Sequence, residues 1–207
     1  MDRFESYSEE ELRAAGIELL AAARKLATGE HEEASDTRRW TTFVLDYFEQ
    51  KAPTSGVVVY PRRNEGRIIT AAGEFLVDQC HVVENPYAGA DMAGELKWYA
   101  ELGPCKVNLA IESEWGKHNN ELASKLLVLS DASKLCAVRA TAKIMVFATN
   151  NGTNASEFVE LLVRLRRAWS DDSPWLLLDL PWKERNRVWS TAGWVIAKDG
   201  KAQLLTD

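Results

Sequence analysis

Long apolar runs are missing from this chain. No stretch of its 207 residues approaches the roughly 20 consecutive apolar residues that cross a bilayer, so no transmembrane helix and no membrane partner is expected. The opening Met1-Asp2-Arg3-Phe4-Glu5 lacks the basic-then-apolar layout of a signal peptide, and a cytoplasmic protein is expected. Cysteine is scarce: Cys80, Cys105 and Cys136 are odd in number and widely spaced, which argues against a disulfide framework and a zinc cluster and reads as reduced thiols. An excess of basic charge is also missing, with 25 Lys and Arg against 31 Asp and Glu. The imbalance is local. Residues 1–36 hold four basic residues against ten acidic ones, whereas the remainder carries 21 of each sign. Nucleic-acid binding by bulk charge alone is thereby excluded, but a neutral body can still hold a basic groove. No internal repeat, low-complexity tract or linker interrupts the chain, so residues 1–207 are expected to form one domain.

What is present is an ordinary globular balance, 46% hydrophobic and 27% charged. Leu12, Ala15, Leu19, Ala22, Ala23 and Leu26 recur at helical spacing behind the acidic start Glu9-Glu10-Glu11, and predict a helix over about 9–27. Trp40, Phe43, Val44, Tyr47 and Phe48 form the apolar stripe of a second helix, stopped by Pro53 and Gly56. Together these make an N-terminal helical part, residues 1–56. Val57 to Tyr60 predicts a strand, Arg62 to Gly66 a turn, and Gly73 to Val83 a second strand. A third helix is expected over about 120–132, and Ala142 to Thr149 reads as a strand buried on both faces. After residue 151 come a fourth helix over about 155–168, a strand at Trp175 to Leu180, and a closing hairpin turned by Asp199-Gly200. Strands and helices alternate after residue 57, which predicts an α/β fold: one domain with a central mixed β-sheet flanked by helices.

The centre of the chain is Lys106 to Gly116. Val107, Leu109 and Ile111 alternate with Asn108, Ala110 and Glu112, the period-two pattern of a strand. Continuing it places Glu112 and Glu114 on the face opposite the large apolar side chains, with Cα atoms roughly 6.6 Å apart. Two neighbouring carboxylates repel each other, so a fold that keeps both ionised usually supplies a cation. Asp78 poses a similar question, because Asp is depleted inside strands and rarely buried without a partner.

An isolated Asp on one strand, Glu-x-Glu on a later one, then a helix and an apolar strand resembles the core of the restriction-endonuclease-like nucleases, the PD-(D/E)XK superfamily. More narrowly, Glu74-Phe75-Leu76-Val77-Asp78 followed by Leu109-Ala110-Ile111-Glu112-Ser113-Glu114-Trp115-Gly116 resembles a group of uncharacterised bacterial members. The likeness covers residues 57–150. It implies a restriction-endonuclease-like fold and a metal-dependent endonuclease, with Asp78 and Glu112 as ligands of Mg²⁺, for which Mn²⁺ substitutes. Catalysis would fall to Asp78, Glu112 and Glu114, the last standing where most members have lysine. The long connection between Asp78 and Glu112 also offers Asp91, Glu95 and Glu101 as the third acid. Lys117 and Lys125, on the loop and helix that follow, are weaker candidates for holding the phosphate. The implied partner is nucleic acid, DNA in the first instance; restriction enzymes of this superfamily often cut as dimers, and the closing hairpin offers an interface for a homodimer.

The chemistry fits the residue types. Phosphodiester hydrolysis needs charge neutralised on the phosphate and a water of lowered pKa, which Mg²⁺ provides when one or two carboxylates and solvent hold it. Two other readings compete. The same fold can serve binding or regulation with idle carboxylates, a reading favoured by the absent lysine, the acidic balance and a tryptophan-rich C-terminal half. Carboxylate-pair glycoside hydrolysis is disfavoured, because side chains on one strand face point in parallel instead of flanking a sugar ring.

Overall fold

The computed structural model describes residues 7–28, 37–52, 57–60, 62–64, 67–69, 77–83, 107–115, 121–149, 154–180 and 191–206. Helices α1 (Glu9–Thr28) and α2 (Thr37–Lys51) come first, followed by strands β1 (Val57–Tyr60), β2 (Arg62–Asn64), β3 (Arg67–Ile69), β4 (Gln79–Val83) and β5 (Val107–Glu114). Then come α3 (Glu121–Ala137), β6 (Ala140–Phe147), α4 (Ala155–Ala168), β7 (Trp175–Asp179), β8 (Ala192–Ile196) and β9 (Ala202–Leu204). A seven-stranded mixed sheet runs β1-β4-β5-β6-β7-β8-β9. Its central strands β5, β6 and β7 are parallel, and the pairs flanking them on either side are antiparallel. The expected α/β architecture about a mixed sheet is the one observed.

Both faces of the sheet are buried. Leu109, Ile111, Ile144, Val146, Leu176 and Leu178 point to one core, closed by Leu12, Leu19 and Leu20 of α1 and Trp40, Val44 and Phe48 of α2. Ala110, Met145, Phe147 and Leu177 point to the other, closed by Val128, Ala132 and Leu135 of α3 and Phe158 and Leu162 of α4. The parallel strands require crossovers, and α3 and α4 supply them on one face. Residues 144–148 are therefore buried without alternation, as their continuous apolar run suggests. In β5 the alternation is one of size: the large side chains face α1 and α2, while small Ala110 makes room for α3 and α4. Val107 departs from it and packs with the α3–α4 core, because the pairing with β4 shifts register beside it, matching His81 to Leu109 and Val82 to Val107.

Three local expectations differ from the structure. Arg62 to Gly66 is not a simple turn, since β2 and β3 pair antiparallel as a two-stranded sheet of their own. The strand expected from residue 73 is seen only from Gln79, with Val77 and Asp78 in a bend and residues 70–76 outside the described residues. α3 continues five residues past the expected end at 132, since Ser133 to Ala137 keep the helical burial pattern through Leu135.

Candidate carboxylate site

β4 and β5 run antiparallel with Gln79 opposite Ile111, and continuing that ladder by one residue sets Asp78 against Glu112. Two of the three acids singled out from the sequence are thus brought together. Asp78 is half-buried, and its Oδ2 accepts two hydrogen bonds from one residue, from the Ser113 N–H at 2.8 Å and the Ser113 Oγ–H at 2.7 Å. Ser113 Oγ in turn lies 3.1 Å from Thr41 Oγ1 on α2, and the Trp115 indole Nε1–H donates to that same Thr41 oxygen at 2.9 Å.

Glu112 points to the face opposite Ser113, towards α3, close enough to Asp78 to feel its charge, and is buried, with 1% of its surface exposed. Burial raises its pKa to about 8, the negative charge of Asp78 adds to that rise, and Lys134 of α3 offsets part of it. The Lys134 Nζ lies 3.3 Å from Glu112 Oε1 as an ion pair, without hydrogen-bond geometry, so Oε1 is a buried oxygen without a hydrogen-bond donor. Lys134 also pairs with Asp131 at 2.7 Å. Burial pulls the lysine down, but the bond to Asp131 and the charge of Glu112 outweigh it and raise it to about 12, so it remains a cation. The sequence reading missed Asp131 and Lys134. Their signal is a charged i, i+3 pair between Val128, Ala132 and Leu135, visible once α3 is carried through to Ala137.

Glu114 ends β5, half-buried, level with Phe147 of β6 and on the Glu112 side by the alternation of the strand. Level with Phe147 on its other side is Asp179, the last residue of β7 and another acid missed from the sequence. Its oxygens accept from Thr149 N at 2.9 Å and Thr149 Oγ1 at 2.7 Å, which holds the chain just after β6. Burial lifts its pKa to about 6 against the pull of both bonds. The signal in the sequence was a single acid closing the apolar run Trp175 to Leu178.

Lys125 lies on α3, where its Nζ meets Glu157 Oε2 of α4 at 3.0 Å and sits 5.9 Å from the centre of the Phe158 ring, tying the two helices together. Lys117, and the alternative acids Asp91, Glu95 and Glu101, lie outside the described residues. Among the described residues no three His, Cys, Asp or Glu side chains form a metal-binding group. A divalent ion would therefore rest on Asp78 and Glu112 plus solvent. That donor set suits Mg²⁺, which keeps several waters and takes one or two carboxylates, and the buried Glu112 Oε1 has no hydrogen-bond donor, only the Lys134 ammonium 3.3 Å away. No protein-family model matches the chain, and no curated protein matches it.

Proposed function

We propose that the protein is a metal-dependent nuclease of the restriction-endonuclease-like kind, hydrolysing phosphodiester bonds in nucleic acid, DNA in the first instance. The observation that carries this reading is the meeting of Asp78 and Glu112 from antiparallel neighbours with a lysine ammonium 3.3 Å from the buried carboxylate. Asp78 and Glu112 would hold Mg²⁺ or Mn²⁺, which when bound supplies charge neutralisation and a water of lowered pKa. Glu114, following on the same strand face, orients that water. Lys134 supplies the positive charge that Glu114 cannot, reaching the site from α3 instead of from the strand. A cation beside a carboxylate pair can stabilise the charge that builds on an attacked phosphate. The sheet fits the task mechanically, because β5 holds Glu112, the bend entering β4 holds Asp78, and the parallel crossover β5–α3 delivers the lysine.

Cleavage of plasmid and single-stranded DNA, and of RNA, with Mg²⁺ or Mn²⁺ tests the reading. Cleavage is expected with metal, abolished in Glu112→Ala and lowered about 10²-fold in Lys134→Ala, the usual scale for losing one preorganised charge-stabilising group. No cleavage of any of these substrates in either metal overturns it.

A second reading has its own observation. Asp78 already takes two hydrogen bonds from Ser113 and Glu112 is already paired with Lys134, so the carboxylates are accommodated without a metal. On that basis the fold would serve binding or regulation, and calorimetric titration with Mn²⁺ should then show no binding that depends on Glu112.

A further inference from the structure

We infer that Trp115, Thr41 and Ser113 form a one-way hydrogen-bond relay that positions Asp78 and couples helix α2 to the carboxylate site; its meaning for metal binding rests on the nuclease reading above. Counting protons fixes its direction. An indole N–H can only donate and an ionised carboxylate can only accept, while each hydroxyl between them has a single hydrogen. The Ser113 hydrogen goes to Asp78 Oδ2 at 2.7 Å. Ser113 Oγ must then accept from Thr41 across the 3.1 Å contact, and Thr41 Oγ1 accepts from Trp115 Nε1 at 2.9 Å. Every donor along the path points towards the carboxylate, and no member can turn round without leaving a donor facing a donor.

The relay joins three elements: α2 gives Thr41, β5 and the residue after it give Ser113 and Trp115, and the bend before β4 gives Asp78. Both bonds to Asp78 fall on Oδ2, one from the Ser113 hydroxyl and one from its backbone N–H at 2.8 Å, so the carboxylate is oriented through one oxygen while Oδ1 takes no part in them. A clasp that merely held α2 on the sheet would be complete with the Trp115–Thr41 bond. The Ser113 hydroxyl extends it to a proposed metal ligand, and outer hydrogen bonds of this kind orient ligands and commonly change metal affinity by 10–100-fold. Thr41 and Ser113 are positioning residues, acting through Asp78.

The test has two arms on the full-length protein. In the metal-free protein, the Trp115 indole N–H signal, identified among the eight tryptophans by Trp115→Phe, is followed by ¹H–¹⁵N NMR. It is expected to move in Asp78→Ala, Ser113→Ala and Thr41→Val, and to stay in place in Thr41→Ser. An unmoved signal in Asp78→Ala overturns the relay. In the second arm, Mn²⁺ affinity by calorimetry is expected to weaken about 10-fold in Thr41→Val and in Ser113→Ala and to recover in Thr41→Ser. Affinity in both weakened variants equal to that of the unaltered protein overturns the positioning role. Should Thr41→Val fail to fold, Ser113→Ala breaks the relay from the strand side. If the unaltered protein binds no Mn²⁺, the nuclease reading fails, and the indole signal still decides the relay.

Discussion

Burial pushes Glu112 up to about 8 from an ordinary 4.5, with Asp78 adding to the push and Lys134 opposing it. Between those two values the folded protein keeps a proton that the unfolded chain has released, so this group makes stability fall as pH rises through that window. His81 acts in the opposite sense. Buried beside Tyr7, just ahead of α1, with its Nδ1 against the Tyr7 hydroxyl and its Nε2 3.3 Å from Gln79 Oε1, it is held by burial at about 4 instead of 6.5. Its contribution is therefore lost as pH falls from 6.5 to 4. From 4.5 to 6.5 the two slopes oppose each other. Glu112→Gln removes one of them: urea unfolding at pH 8.5 should show the variant more stable by on the order of 3 kcal/mol, with the difference vanishing near pH 4.5. In the same variant, stability should fall more steeply below pH 6.5 than in the unaltered protein, because the Glu112 slope that opposed the His81 limb is gone. At this scale the sequence was readable where a residue was out of place, as Asp78 and Glu112 were among apolar neighbours, although Asp78 lies in the bend before β4 and not in the strand expected there. Lys134 gave no such sign, because a lysine on a helix is ordinary until the strand beneath it is known.

The elements with the plainest periodicity agree best with their expected bounds, α1, α2 and α4 within a few residues, since in each the apolar stripe alone fixes which face meets the sheet. α3 was read short because Lys134 and Ser133 break its polar–apolar contrast, although Leu135 is fully buried one turn beyond Asp131. Close packing of α1 on β7 and β8 was invisible in sequence and depends on glycine. A Cβ on Gly193 would stand 2.9 Å from Leu20 Cδ1, 3.0 Å from Leu205 Cδ1 and 3.3 Å from the Leu177 carbonyl, and one on Gly16 would come closer still to Leu205 Cδ1 and stand 2.8 Å from Leu176 Cδ1. Gly16→Ala sets two effects against each other. Helix propensity favours alanine by about 1 kcal/mol, whereas forcing a methyl into a filled core costs typically 1–3 kcal/mol. Packing should win, and thermal unfolding should show Gly16→Ala and Gly193→Ala both less stable than the unaltered protein.

For the whole molecule, alternation of strands and helices was enough to give a mixed sheet with helices on both faces, because parallel neighbours demand crossovers and the crossovers must cover the sheet. Strand order was not readable, since nothing local to β4 says that it pairs with β5 across the long connection that follows it. That pairing is what brings Asp78 to Glu112, so the candidate site was legible as residue types and its members were brought together only through topology. No helix among the described residues is long and apolar enough to cross a membrane. The edge strand β9 is exposed along Ala202–Leu204, and an open strand edge is a surface on which a second copy could pair. If the protein forms a homodimer through this hairpin, Gln203→Pro should lower the mass seen by light scattering to that of one chain. The proposed holding of a divalent ion by Asp78 and Glu112 together is tested most directly by anomalous diffraction from crystals soaked in Mn²⁺: a peak bridging the two carboxylates is expected, lost in Glu112→Ala, whereas crystals that diffract well with no peak between them would contradict it.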